Sequence, residues 1–104
     1  MALLRLFYSA VDPADVDEVR RVFEEDVRPV FAATDGCRSM ELAINVERNA
    51  GGLVEGLAVS RWDSRVALDA ALASRVVNES MVRILKLLRL EPVTRVFEIL
   101  EPVE

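Results

Sequence analysis

The stretch CRSMELAINVERNAGGLVEGLAVSRW, Cys37 to Trp62, decides the fold. From Cys37 onward the pattern has a period of two. Met40, Leu42, Ile44 and Val46 fall on one side, and Ser39, Glu41, Ala43 and Asn45 on the other. That is the period of a strand. Asn49-Ala50-Gly51-Gly52 is turn chemistry and Leu53 to Trp62 reads as a second strand, so the stretch is a β-hairpin. Gly56 and Ala58 leave room on one face of the second strand, either for a closely packed helix or as the floor beneath a ligand.

On both sides of the hairpin the period lengthens. Upstream, Asp12-Pro13-Ala14-Asp15 is a helix start, with an N-cap carboxylate, Pro at the first helical position and acid in the first turn. Val16, Val19, Phe23, Val27 and Val30 then draw one apolar stripe. Asp17 with Arg21 and Glu24 with Arg28 are spaced as ion pairs on the wet side. Pro29 is expected to kink or end the helix near Arg28, and Asp35-Gly36 to stop it. Downstream, Asp63-Ser64 caps a helix of small residues through Ala73. Asn78-Glu79 reads as a fresh cap, opening a last helix through Met81, Ile84, Leu85 and Leu88 that Pro92 ends. Outermost lie two more strand-like runs, Leu3 to Val11 and Val93 to Leu100.

The order is therefore βαββαβ, in a single domain over residues 1–104. Two crossover helices on a four-stranded antiparallel sheet give an α+β, ferredoxin-like fold with its helices on one sheet face. In the first strand Leu3, Leu4, Leu6, Phe7 and Val11 supply apolar groups to both faces, so the second face also needs cover. A homodimer stacked sheet on sheet is the expected solution.

Composition narrows the partners. Acidic residues number 18 against 13 basic ones, for a net charge of −5, and the arginines are scattered. Nucleic acid, which needs clustered cations, is not an expected partner. A lone Cys37 rules out an internal disulfide and fits a reducing cytosol. The opening Met-Ala-Leu-Leu-Arg meets charge too soon for a signal peptide or a membrane span, so a cytoplasmic location is expected. With no His and no cluster of ligand residues at metal spacing, no metal is expected.

Asp35-Gly36-Cys37, the run from Leu57 through Trp62 to Leu68, and Arg95-Val96-Phe97-Glu98-Ile99 together resemble the dimeric α/β-barrel superfamily. Within it, the chain is similar to the antibiotic-biosynthesis monooxygenase (ABM)-like domains. The resemblance implies a dimeric barrel with a pocket between sheet and helices in each subunit. Some relatives oxidise polycyclic phenols with molecular oxygen and no cofactor; others degrade haem or isomerise small molecules. This chain departs from the pattern in three places. It has no His to serve as a haem ligand, Ala71 stands where many relatives carry a His, and Ala58 stands where the phenol-oxidising branch is expected to carry an Asn.

Four residues are candidates for contact with a substrate. Trp62 either stacks on a planar ligand and donates its indole N–H, or bridges sheet and helix as packing. Tyr8, in phase with Leu4 and Leu6, offers a phenol; Asn45 offers an amide on the face of Ser39 and Glu41. Arg61, like Arg95, is placed to bind an anion or an interfacial carboxylate. The function that follows is a cofactor-free, monooxygenase-like protein acting on an aromatic or mostly apolar small molecule. The alternative is a non-enzymatic small-ligand-binding or interaction dimer of the same fold.

Overall fold

The computed structural model describes residues 1–47 and 51–101. Strand β1 (Leu3–Val11) leads to Asp12, whose carboxylate accepts the Ala14 N–H at 2.9 Å and starts the first crossover. The crossover runs through α1 (Val16–Val22), a wide turn (Phe23–Val27) and α2 (Arg28–Ala32). In the wide turn the Arg28 N–H bonds to the Phe23 carbonyl, five residues back. A proline ring presses on the carbonyl four residues before it, and a wide turn just upstream relieves that crowding. The expected break at Arg28 is thus a change of pitch, and the helix continues. The extra residue also rotates the buried face, so Phe31 is fully buried where Val30 is only partly so.

Gly36, at φ +82°, turns the chain into β2 (Cys37–Ile44), which pairs antiparallel with β3 (Val54–Trp62). Gly52 at φ +77° lies in the connecting turn; Asn49 and Ala50, also assigned to it, lie outside the described residues. Ser64 caps α3 (Arg65–Ala73) by accepting the Ala67 N–H at 3.1 Å. The second crossover differs from the expectation in where its helices start and stop, the last one ending at Leu85 and not running on through Leu88 to Pro92. Its next helix, α4 (Arg75–Ser80), opens four residues before Asn78, on the extended residue Ser74, whose hydroxyl accepts the Val77 N–H at 3.4 Å. Asn78 instead donates to the carbonyls of Leu72 at 3.1 Å and Ser74 at 2.9 Å, covering the orphan acceptors where α3 ends. A short α5 (Val82–Leu85) follows, then β4 (Val93–Glu98).

The four strands lie in the order β2-β3-β1-β4, every neighbouring pair antiparallel. This is the ferredoxin-like α+β fold. On the surface, Arg28 pairs with Glu24 as expected at 2.9 Å, whereas Arg21 takes Glu18 and Glu25 and leaves Asp17 aside. A longer-range pair, Arg83 with Asp26 at 3.0 Å, ties the two crossovers together. Among the described residues no helix is long and apolar enough to cross a membrane.

Register sorts the strand residues into two faces. Leu3, Arg5, Phe7, Ser9 and Val11 pair with Trp62, Ser60, Ala58, Gly56 and Val54. This is the helix-covered face, since Leu3, Val11, Val54 and Trp62 join Val22, Phe23, Val27, Phe31 and Leu68 in the core. Leu4, Leu6 and Tyr8 pair with Arg61, Val59 and Leu57 on one side and Phe97, Arg95 and Val93 on the other. Among the described residues no helix covers that face. Tyr8, Val93 and Phe97 are 44%, 45% and 51% exposed, the pattern of a sheet surface open to solvent in the single chain.

Candidate functional site

Between the helix-facing side of the sheet and the helices lies a cavity of about 220 Å³. A cavity of about 150 Å³ lined by apolar side chains is enough to hold benzene, so this one has room for a ring with more attached. Its floor comes from β1 and β3 through Phe7, Ser9, Gly56 and Ala58. Val19, Phe23 and Val27 wall one side, Met40 and Leu42 another, and Met81, Ile84 and Leu88 close it from the second crossover. The small residues of β3 take on a meaning here. A Cβ built on Gly56 meets nothing within 4 Å, so Gly56 opens a hollow and no helix packs against it. The ligand-floor reading of Gly56 and Ala58 thus fits the geometry.

The polar content of the lining is small and of one sign. It consists of Arg5, Ser9 and Arg20, with no carboxylate among the residues that line the cavity. Arg5 lies on β1, over the Phe7 ring at 5.6 Å, a cation–π contact that holds the guanidinium along the floor. Burial pulls its pKa below the ordinary arginine value. A guanidinium still stays charged at any working pH, so the site carries a permanent, partly desolvated cation. The cost falls on stability. A base whose folded pKa is depressed contributes instability that is relieved only as pH rises into the arginine range, so it persists throughout the ordinary pH range. The Ser9 hydroxyl oxygen is buried and has no hydrogen-bond partner among the described residues. A buried hydroxyl of this kind takes its partner from water or from a ligand.

The candidates read from the sequence are placed differently. Trp62 is fully buried on the helix-facing side, but it stands behind the cavity and not in its lining. Its indole N–H donates to the Ser60 hydroxyl at 2.8 Å, and its ring meets Phe31 edge-on at 6.2 Å between centroids. Through Phe31, which does line the cavity, Trp62 braces the wall. Tyr8 and Arg61 lie on the opposite, open face of the sheet. Asn45 begins the hairpin turn, where its amide donates to Glu55 at 3.0 Å and its carbonyl oxygen accepts the Glu47 N–H at 2.9 Å. Tyr8 and Asn45 share a shallow depression on that open side with Ala43 and Leu57. The structure therefore separates Trp62 from the other three. Arg5 and Ser9 were missed, although one signal was present: Arg5 is the only charge in an otherwise apolar strand and lies in phase with Leu3 and Phe7.

Cys37 is partly buried, and burial pushes its thiol pKa up, the opposite of what a reactive nucleophile needs. Among the described residues no group of His, Cys, Asp and Glu is arranged to hold a metal ion.

The chain matches the antibiotic biosynthesis monooxygenase family over residues 2–81. No curated protein matches it. Solved structures of similar fold include Rv0793 from Mycobacterium tuberculosis, 23% identical with TM-score 0.73, the match covering 100% of both chains. A mutant of SnoaB, a cofactor-independent oxygenase from Streptomyces nogalater, is 19% identical with TM-score 0.75, covering 98% of this chain and 96% of its own. A conserved protein from Methanosarcina mazei Go1 is 16% identical with TM-score 0.73, covering 93% of this chain and 91% of its own.

Proposed function

The chain belongs to the antibiotic biosynthesis monooxygenase family, and from that premise we propose that it is a cofactor-free, monooxygenase-like protein acting on an aromatic or mostly apolar small molecule. The observation that carries this reading is the cavity between sheet and helices, walled by apolar side chains and wide enough for a ring. The lining offers no carboxylate or other side chain suited to act as a base, so the protein's contribution is to position the substrate, exclude water and stabilise an anion. Oxygen then reacts with the phenolic substrate directly, one atom becoming a quinone carbonyl and the other leaving as water, with the phenol itself supplying the electrons.

Oxygen consumption by metal-free protein, measured across a panel of reduced polycyclic phenols, tests this. Uptake with at least one of them is expected. Gly56→Val, whose side chain enters the hollow over β3, is expected to lower it at least tenfold while keeping or raising stability, since valine suits a strand better than glycine. Absence of uptake with every phenol would sink the enzymatic reading.

One observation favours a second reading, a non-enzymatic small-ligand-binding dimer: the same scarcity of acid–base groups in the lining. It predicts saturable binding of aromatic ligands with no oxygen uptake.

In either reading the protein acts as a homodimer, stacked through the open sheet face. Leu4, Leu6, Tyr8, Val93 and Phe97 form a mostly apolar surface there, interrupted by Arg95 opposite Leu6, and Phe97 is half exposed in the single chain. Sedimentation at micromolar concentration is expected to give a dimer, and Tyr8→Glu, which places a carboxylate between Leu57 and Val93, a folded monomer. A wild-type monomer at that concentration would refute the pairing.

A further inference from the structure

The geometry points to an anionic ligand: an apolar ring system bearing one acidic group, held by the Arg5 guanidinium and by the Ser9 hydroxyl on the same strand face. The inference rests on the cavity being the ligand site and goes further by naming the charge that the site reads.

Four observations converge on it. The protein as a whole is acidic, at −5, yet among the described residues the only charged ones lining the cavity are Arg5 and Arg20. A charge of the minority sign in an apolar hollow is not what general solubility requires. Arg5 is partly desolvated, and no carboxylate among the described residues offsets it. Left alone, a buried cation destabilises the fold, and an arriving anion removes that cost. Ser9, four residues further along the same strand face, holds a buried hydroxyl with no hydrogen-bond partner among the described residues. A polar ligand would supply a partner to both groups. Finally, the Phe7 ring between them in the strand, together with Phe23 and Ala58, supplies an apolar bed for a ring. The guanidinium fork matches a carboxylate in two-point geometry, and a carboxylate arrives already ionised at neutral pH. A phenol must first lose its proton, and Arg5 would favour that loss.

Three probes of nearly one shape separate the possibilities: naphthoate, its neutral isostere naphthamide, and naphthol. Titrations with the full-length protein are expected to show naphthoate binding roughly 10- to 100-fold more tightly than naphthamide, the worth of one charge-assisted hydrogen-bonded contact. Arg5→Met should remove that preference and leave naphthamide affinity within about twofold, because methionine keeps the apolar stem. Without ligand, Arg5→Met should melt no lower than wild type, since it deletes an uncompensated cation; an arginine kept for packing would melt lower when replaced. Ser9→Ala should likewise leave the free protein no less stable and weaken naphthoate binding. Naphthol that binds as the naphtholate at neutral pH in wild type, seen by its absorbance, and as the neutral form in Arg5→Met would also support the anion site, with a phenolic acid as its source.

Equal affinity for naphthoate and naphthamide in wild type, or a preference for naphthoate that survives in Arg5→Met, overturns the inference while leaving an apolar ligand site intact. Failure of all three probes to bind overturns both.

Discussion

Replacing Trp62 with alanine is expected to destabilise the fold by about 3–5 kcal/mol, the usual cost of removing a fully buried large aromatic side chain. Trp62 is 0% exposed, packs edge-on against Phe31 and donates its N–H to Ser60. A gentler substitution isolates the chemistry. Trp62→Phe keeps most of the apolar contact but leaves the Ser60 hydroxyl without its donor, at a cost of about 1–3 kcal/mol. Denaturant unfolding measures both losses. Because Trp62 stands behind the cavity wall, ligand affinity in Trp62→Phe should change by less than about threefold, under 1 kcal/mol. A loss of binding far larger than the loss of stability would instead make Trp62 a ligand contact, the role that its place at the end of β3 first suggested.

Gly36→Ala is the second large effect, expected at about 2–5 kcal/mol. Two costs combine. The backbone sits at φ +82°, which an L side chain adopts only at about 1–2 kcal/mol. A Cβ at this position would lie 2.4 Å from the Ala67 Cβ, too near for two carbons, and overpacking costs about 1–3 kcal/mol. Gly36 is also where the Asp63 N–H bonds to the chain, at 2.8 Å to the Gly36 carbonyl, and next to it Arg38 pairs with Asp63. The turn therefore fixes the start of β2 against the end of β3 and the start of α3. A double-mutant cycle with Ala67→Gly separates the two costs. The second substitution should recover the clash and leave the backbone strain. Additive effects of the two substitutions would show that the contact is not the cause.

Much of the fold was legible because its signals are local. The caps at Asp12 and Ser64, the alternation of β2 and the positive-φ turns each depend on a few neighbouring residues. The cap assigned to Asn78 went to Ser74 because an extended residue with a short hydroxyl was available first, and α3 had already ended there. Phe31 entered the core through the wide turn at Phe23–Val27, a change of pitch that no regular period reveals. The site was less legible for a different reason. Which face of a strand becomes the cavity is decided by where the helices settle, and that is a long-range outcome. Tyr8 and Arg61 alternate with Phe7 and Ser60, so a shift of one residue in phase carries them to the far side of the sheet. Arg5 was legible only as an interruption in an apolar run. Its meaning came from its burial and from the lack of a carboxylate against it.

A crystal structure of the protein with naphthoate bound decides which face of the sheet is the site. The ring is expected in the cavity over Ala58, beside Phe7 and Phe23, with its carboxylate against Arg5. A ring seated beside Tyr8 and Asn45 on the opposite face, with the cavity left unfilled, would contradict a ligand site between the sheet and the helices.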